Sequence, residues 1–115
     1  MEKQVRGRDI VERTFEFAVE IVKFADKISK KSWIGKKLAS QVLNSGTSIG
    51  ANVEEAQAAE SRADFTHKYS IALKEARETK FWLRLLSAVK VNGGEEGELL
   101  KTEADEISRI IARSS

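Results

Sequence analysis

The chain has 115 residues, no proline, no cysteine and a formal net charge of +2. This length fits one domain with a single core, and the lack of proline favours long uninterrupted helices. The lack of cysteine excludes disulfides and thiolate chemistry and fits a reducing compartment. No apolar stretch approaches the about 20 residues that span a bilayer, and no signal-peptide pattern is present. We therefore expect a cytoplasmic protein with no membrane partner.

Apolar residues recur at helical spacing along nearly the whole chain. They predict four helices with short connections, and no segment alternates with the period of two that a strand requires. Such helices form an antiparallel up-down-up-down bundle, so the predicted fold class is all-α, with the chain 1–115 as one domain. The expected helices cover about residues 9–28, 33–59, 62–91 and 95–113.

Local signals set the helix boundaries. Ser32 and Ser61 are the expected N-caps of the second and third helices, and Asp9 with Glu12 resembles a capping box for the first. We expect the run Asn92-Gly93-Gly94 to end the third helix, because glycine readily adopts the left-handed conformation that follows a helix C-terminus.

The segment 45–57 combines glycines, hydroxyl groups, an amide and carboxylates with helical apolar spacing. On a helical wheel Gly46 and Gly50 share one flank, which would let a neighbouring helix approach closely. The alternative is a loop at Asn44-Ser45-Gly46-Thr47. A phosphate-binding P-loop is excluded, because Ala51-Asn52 stand where that motif needs lysine and a hydroxyl residue.

The other flank of this segment is polar, and two glutamates interrupt an apolar stripe on the third helix. If these faces meet, they form a buried polar network; a solvated carboxylate face is the equally supported alternative. We interpret the segment as holding the second and third helices together rather than contacting a ligand. The predicted structural network comprises Ser48, Asn52, Glu55, Glu75 and Glu78.

The sequence shows no constellation typical of catalysis. His67 is the single histidine, so no serine has an evident base, and the E-x-x-H motifs of di-metal bundles are missing. The pair Asp64-x-x-His67 is a weak metal hypothesis, because lone surface pairs of this kind are common. We predict no enzymatic activity, no catalytic residue, no metal, no cofactor and no small-molecule substrate.

The third helix carries more apolar residues than a single bundle can cover. The excess predicts packing against another subunit. The candidate oligomer interface comprises Phe81, Trp82, Leu85 and Val89.

Basic stripes on the first and third helices indicate an alternative function. In a monomer they are solvated faces, whereas a ring repeats them into a belt that could hold RNA or DNA phosphates without sequence preference. The candidate nucleic-acid contacts are Lys23, Lys27, Lys30, Lys74, Arg77 and Arg84.

Three motifs resemble the four-helix-bundle proteins encoded within 23S rRNA intervening sequences. They are Ser48-Ile49-Gly50-Ala51-Asn52-Val53-Glu54-Glu55-Ala56, Ser61-Arg62-Ala63-Asp64-Phe65, and Ile71-Ala72-Leu73-Lys74-Glu75-Ala76-Arg77-Glu78-Thr79 with Trp82-Leu83. The family pattern S-x-x-A-N-x-x-E-G/A falls on the first motif, with Ala56 where glycine is common.

This resemblance covers about residues 45–86. It implies a left-handed up-down bundle and a ring-like homo-oligomer, commonly a pentamer, with no established biochemical activity. We therefore predict a non-enzymatic homo-oligomeric interaction module, with nucleic-acid binding as the alternative function.

Overall fold

The computed structural model describes residues 6–91 and 94–114. Four helices make up nearly all of these residues: α1 (Arg6–Ser29), α2 (Trp33–Gln57), α3 (Arg62–Ala88) and α4 (Glu95–Ser114). Each helix packs against the next in the chain, and α4 returns to α1 to close the bundle. The predicted all-α four-helix bundle is confirmed.

The predicted N-caps of α2 and α3 are present. The Ser32 hydroxyl oxygen accepts from the Gly35 N–H at 2.9 Å, and the Ser61 hydroxyl oxygen accepts from the Asp64 N–H at 3.0 Å. The prediction of a capping box at Asp9 and Glu12 is wrong, because α1 already includes Arg6 and places Asp9 inside its first turn. There the carboxylate still interacts favourably with the helix dipole.

The end of α3 differs from the sequence expectation. The helix stops at Ala88, and Lys90 takes the left-handed conformation with φ 61°. The Val91 N–H donates to the Leu86 carbonyl at 3.0 Å, the bond of a Schellman motif. This turn packs the half-buried Val91 side chain against the core, so the helix ends before the run Asn92-Gly93-Gly94. Residues 92 and 93 lie outside the described residues.

All four helices contribute side chains to the core. Each large apolar side chain buried there contributes about 1.5–3 kcal/mol. Thr14 and Thr79 are also fully buried, and their hydroxyls donate to backbone carbonyls one turn earlier. The most deeply buried large apolar residues are Ile21, Phe24, Ile28, Val42, Ile49, Val53, Leu83, Leu86, Ile107 and Ile111. This core fixes which helix faces point outward.

Candidate interaction surfaces

The unusual segment 45–57 lies inside the continuous helix α2, which excludes the loop alternative. Gly46 and Gly50 are buried against α1 rather than α3. A Cβ at Gly46 would lie 2.9 Å from two side-chain carbons of Ile21, and one at Gly50 would lie 3.1 Å from the Thr14 carbonyl oxygen. The interpretation that the whole segment joins α2 to α3 is therefore wrong for the glycines, which set the approach of α1.

A third glycine, Gly35, also lies in this contact and was not predicted from the sequence. A Cβ at Gly35 would lie 2.5 Å from the Ile28 carbonyl oxygen, so the backbone of α1 reaches α2 there as well. The signal was the repeat of small residues at spacings of four, seven and four along α2. We call this surface the α1–α2 seam; it comprises Gly35, Ala39, Gly46 and Gly50.

The buried polar contact between α2 and α3 involves a different pair from the one predicted. The Thr79 hydroxyl lies 2.9 Å from the Ser45 hydroxyl in the interior. Ser48 donates to the Asn44 carbonyl at 2.7 Å, and Asn52 donates to the Ser48 carbonyl at 2.9 Å. Two of the three predicted network members on this flank, Ser48 and Asn52, thus bond within α2.

The predicted carboxylates lie on the outer side of the same interface. Glu55 is exposed and lies 3.7 Å from Lys68. Burial, and then the charge of Glu78, raises the pKa of Glu75. The Trp82 indole N–H donates to Glu78 at 3.3 Å. Within the described residues, no cation lies within 4 Å of either Glu75 or Glu78. The structure therefore does not join the five predicted residues into one network, because Ser48 and Asn52 bond within α2 and Glu55 faces Lys68.

Two apolar patches lie on separate sides of the bundle. The α1–α2 patch comprises Phe15, Val19, Val22 and Leu43, of which Phe15 is 60% exposed and Val22 49%. Part of this patch lines a groove of about 470 Å³ between the helices, with Lys23 and Lys36 among its other residues. The groove gives a neighbouring molecule a concave apolar surface.

The second patch lies on α3. The α3 patch comprises Trp82, Leu85 and Val89, and Val89 is 49% exposed. Leu85 is half-buried without packing against the described core. These three residues were predicted as interface together with Phe81. The Phe81 ring meets the Trp82 ring edge-on at a centroid distance of 5.1 Å and lies beside Leu85, but it also lines a groove on the α4 side.

That groove lies between α3 and α4, and we call it the α3–α4 groove. Its volume is about 500 Å³, and Phe81 within it is 52% exposed. Four cationic side chains and one carboxylate surround the ring. The lining residues are Arg77, Lys80, Phe81, Arg84, Lys101, Thr102 and Asp105.

The predicted basic contacts divide into paired and unpaired groups. On α1, Lys27 lies 2.7 Å from Glu96, Lys30 lies 3.2 Å from Asp26, and Lys23 lies 3.7 Å from its neighbour Glu20.

The predicted basic contacts on α3 differ from the ion-paired contacts on α1. Lys74, Arg77 and Arg84 are exposed, and within residues 6–91 and 94–114 no carboxylate lies within 4 Å of any of them. Of the six predicted contacts, those without an ion pair among the described residues are therefore on α3.

The described part of the chain shows no convergence of three or more His, Asp or Glu side chains of the kind that holds a metal ion. His67 lies exposed near the start of α3. No helix among the described residues combines the length and the apolar character needed to cross a membrane.

These features define a small antiparallel four-helix-bundle protein with apolar and basic surfaces on its outer faces. The chain belongs to the 23S rRNA-intervening sequence protein family, whose model matches residues 6–113. This confirms the resemblance drawn from the α2 and α3 motifs. The family description names no catalytic activity.

A solved structure is similar over nearly the entire chain. It is a protein of unknown function from the S23 ribosomal protein family of Bacteroides thetaiotaomicron VPI-5482. The two chains are 37% identical, the match covers 96% of this chain and 97% of that one, and the TM-score is 0.87. No curated protein matches the chain.

Proposed function

We propose that this protein is a non-enzymatic interaction module that assembles from identical copies. The observation that carries the proposal is the pair of apolar patches, of which the α1–α2 patch is largely exposed and the α3 patch is exposed at Val89 and half-buried at Trp82 and Leu85. A monomer has no reason to keep such surfaces open, and patches of this kind mark interaction sites. The family resemblance implies a ring, commonly of five copies, and no enzymatic activity.

The two patches differ from each other, which determines the kind of assembly. The α1–α2 patch lines a groove, whereas the α3 patch is a row of side chains along one helix. A two-fold dimer joins the same surface on both subunits, whereas unlike surfaces give head-to-tail contacts that close into rings. We propose that the α3 patch of one copy packs into the α1–α2 groove of the next.

The charges beside the patches support this pairing. Lys23, Lys36 and one carboxylate, Asp26, line the α1–α2 groove, and Asp26 is paired with Lys30 at 3.2 Å. Glu75 and Glu78 flank the α3 patch without a described cation within 4 Å. Burial already raises the pKa of Glu75 in the single chain. A lysine from the next copy would relieve the repulsion between the two glutamates.

Two face-blocking variants test the head-to-tail arrangement. Val22→Glu places a carboxylate in the groove, where it would face Glu75 and Glu78, and Leu85→Lys places a cation opposite the groove lysines. We expect the wild type to be oligomeric at micromolar concentration by light scattering, and each variant alone to be monomeric. Mixed in equal amounts, they should assemble, because each retains the face that the other lacks and the new carboxylate of one variant faces the new cation of the other.

Two results would contradict the expected assembly of the wild type and of the mixed variants. A monomeric wild type would overturn the assembly proposal. A mixture that stays monomeric, while circular dichroism shows both variants folded, would overturn the pairing of unlike faces. Ala63→Glu is the matched control, because Ala63 is exposed in the first turn of α3 outside both patches, and this variant should assemble as the wild type does.

Nucleic-acid binding is the second candidate function, and one observation favours it. Among the described residues, no carboxylate lies within 4 Å of the α3 cations Lys74, Arg77 and Arg84. A ring would repeat them around its axis, and phosphate neutralisation would make the affinity fall steeply with salt. Titration of a structured RNA with the protein at low and moderate salt tests this function; an absence of binding at low salt overturns it.

A further inference from the structure

The α3–α4 groove combines an exposed aromatic ring with unpaired cations. Phe81 is 52% exposed. Arg77 precedes it by four residues and Arg84 follows it by three, which places all three on one face of α3. We propose that this groove binds single-stranded nucleic acid, with one base stacked on Phe81 and the flanking phosphates held by Arg77 and Arg84.

The charge balance of the groove favours an anionic ligand. Its one lining carboxylate, Asp105, lies 2.9 Å from Lys80 and 2.8 Å from Arg109, so two cations share it. Neither Arg77 nor Arg84 has a carboxylate within 4 Å in the described part of the chain. Guanidinium groups that have no internal partner can donate two parallel hydrogen bonds to a phosphate.

The spacing of the three residues suits a nucleotide chain. Arg77 and Arg84 are separated by about 10 Å along the helix axis, from a rise of 1.5 Å per residue, and Phe81 lies between them. The two side chains can therefore bracket one base and reach the phosphates on both sides of it. The Thr102 hydroxyl, on the α4 wall of the groove, adds a donor.

The aromatic ring selects among anionic ligands. Stacking on an exposed ring requires an unpaired base, so the groove favours single strands over duplexes. An acidic peptide would satisfy the arginines but leave Phe81 exposed to water. This inference rests on the second candidate function, nucleic-acid binding, and specifies its site and ligand class.

Fluorescence anisotropy with two labelled strands separates stacking from charge. One strand is a short oligothymidylate, and the other is an abasic strand of equal length. We expect Phe81→Leu to weaken binding of the oligothymidylate about tenfold, as for the loss of one stacked base, and to leave the abasic strand unaffected. Phe81→Tyr, which keeps the ring, should bind both strands as the wild type does.

The arginines have a different expected signature. Arg77→Gln and Arg84→Gln should each weaken both strands and reduce the slope of log affinity against log salt by about 0.7. Lys37→Gln is the matched control, because Lys37 is exposed on α2 outside the α3–α4 groove, and it should change neither affinity nor slope. Light scattering on every variant verifies that the oligomeric state is unchanged.

The outcomes distinguish the inference from the function on which it rests. If the wild type binds no strand at low salt, nucleic-acid binding and this site fall together. If it binds and Phe81→Leu is without effect, only the stacking site is overturned. Equal binding of the abasic strand, of a duplex, or of polyglutamate by the wild type would also overturn it, because none of these can place a base on Phe81.

Discussion

The bundle holds its helices together in two different ways. Along the α1–α2 seam, small residues bring two backbones together, and no described ion pair joins the helices. By contrast, charged groups attach α4 to its neighbours. Arg13 of α1 lies 2.7 Å from Glu103 and 2.6 Å from Glu106, and Lys80 of α3 lies 2.9 Å from Asp105.

This difference separates the part of the bundle whose packing is set by shape from the part whose attachment depends on salt and pH. Close packing depends on shape and is insensitive to salt or pH, whereas exposed ion pairs are weak individually and respond to both. The hairpin of α1 and α2 is therefore the rigid half of the molecule. The attachment of α4, which forms one wall of the α3–α4 groove, is the half that solution conditions can loosen.

The largest expected effect comes from adding one methyl group to the seam. In Gly46→Ala, the new Cβ would lie 2.9 Å from two carbons of the fully buried Ile21 side chain. We expect the free energy of unfolding to fall by about 1–2 kcal/mol in urea titrations followed by circular dichroism, because overpacking outweighs the gain in helix propensity.

A double-mutant cycle identifies the cause of that loss. In an Ile21→Ala background, which removes the contacted carbons, Gly46→Ala should be neutral or stabilising, since only the propensity gain remains. Ala51→Gly, at an exposed position of the same helix, is the reference for propensity alone and should cost about 1 kcal/mol. A Gly46→Ala variant as stable as the wild type would show that the seam tolerates added volume.

A smaller effect is expected on the α4 side. Arg13→Met keeps the apolar stem but removes the guanidinium that bonds Glu103 and Glu106, and should cost about 1 kcal/mol at low salt. High salt should reduce the difference between variant and wild type, because these side chains are partly exposed. An equal loss of stability at both salt concentrations would mean that Arg13 stabilises the bundle through packing. The contrast between a packed α1–α2 seam and an ion-paired α4 would then be wrong. Lys23→Met, which removes an exposed pair, is the control and should be nearly neutral.

Sequence alone predicted the helices, two of their caps and the family, because these depend on local periodicity and on contiguous motifs. It also placed Gly46 and Gly50 on one flank of α2. The sequence could not show which helix packs against that flank. A helical wheel gives the arrangement of side chains around one helix, and it does not identify the neighbouring helices. Gly35 was missed because it precedes the conspicuous segment.

The candidate surfaces show the same limit. Wheel geometry grouped Phe81 with Trp82 and Leu85, and the structure keeps Phe81 beside both, but the return of α4 along α3 also places Phe81 in the wall of the α3–α4 groove. The sequence also grouped Lys27 with Arg77 as free cations. Only the pairing of Lys27 with Glu96, 69 residues away, separates them.

The smallest expected effect is the loosening of α4 in acid. It tests the contrast between the α1–α2 seam and the attachment of α4 without altering the packing of the seam. The hydrogen bond from Lys80 lowers the pKa of Asp105, and the hydrogen bond from Ser87 lowers that of Glu98. A carboxyl whose pKa is lowered by folding stabilises the fold above its unfolded pKa of about 4, and that contribution is lost as the pH falls through the folded value. Glu75 has the opposite sign, because its pKa is raised: its contribution is present at acid pH and is lost as the pH rises.

We therefore expect hydrogen exchange, corrected for its intrinsic pH dependence, to show α4 opening more readily below about pH 4 while the α1–α2 hairpin stays protected. Asp105→Asn should open α4 at neutral pH and make its protection less dependent on pH. Glu75→Gln should change stability at neutral pH by no more than about 0.5 kcal/mol, as a gain that disappears in acid. If α1 and α4 lost protection together at every pH, the bundle would open as one unit, and the division into a rigid and an adjustable half would be wrong.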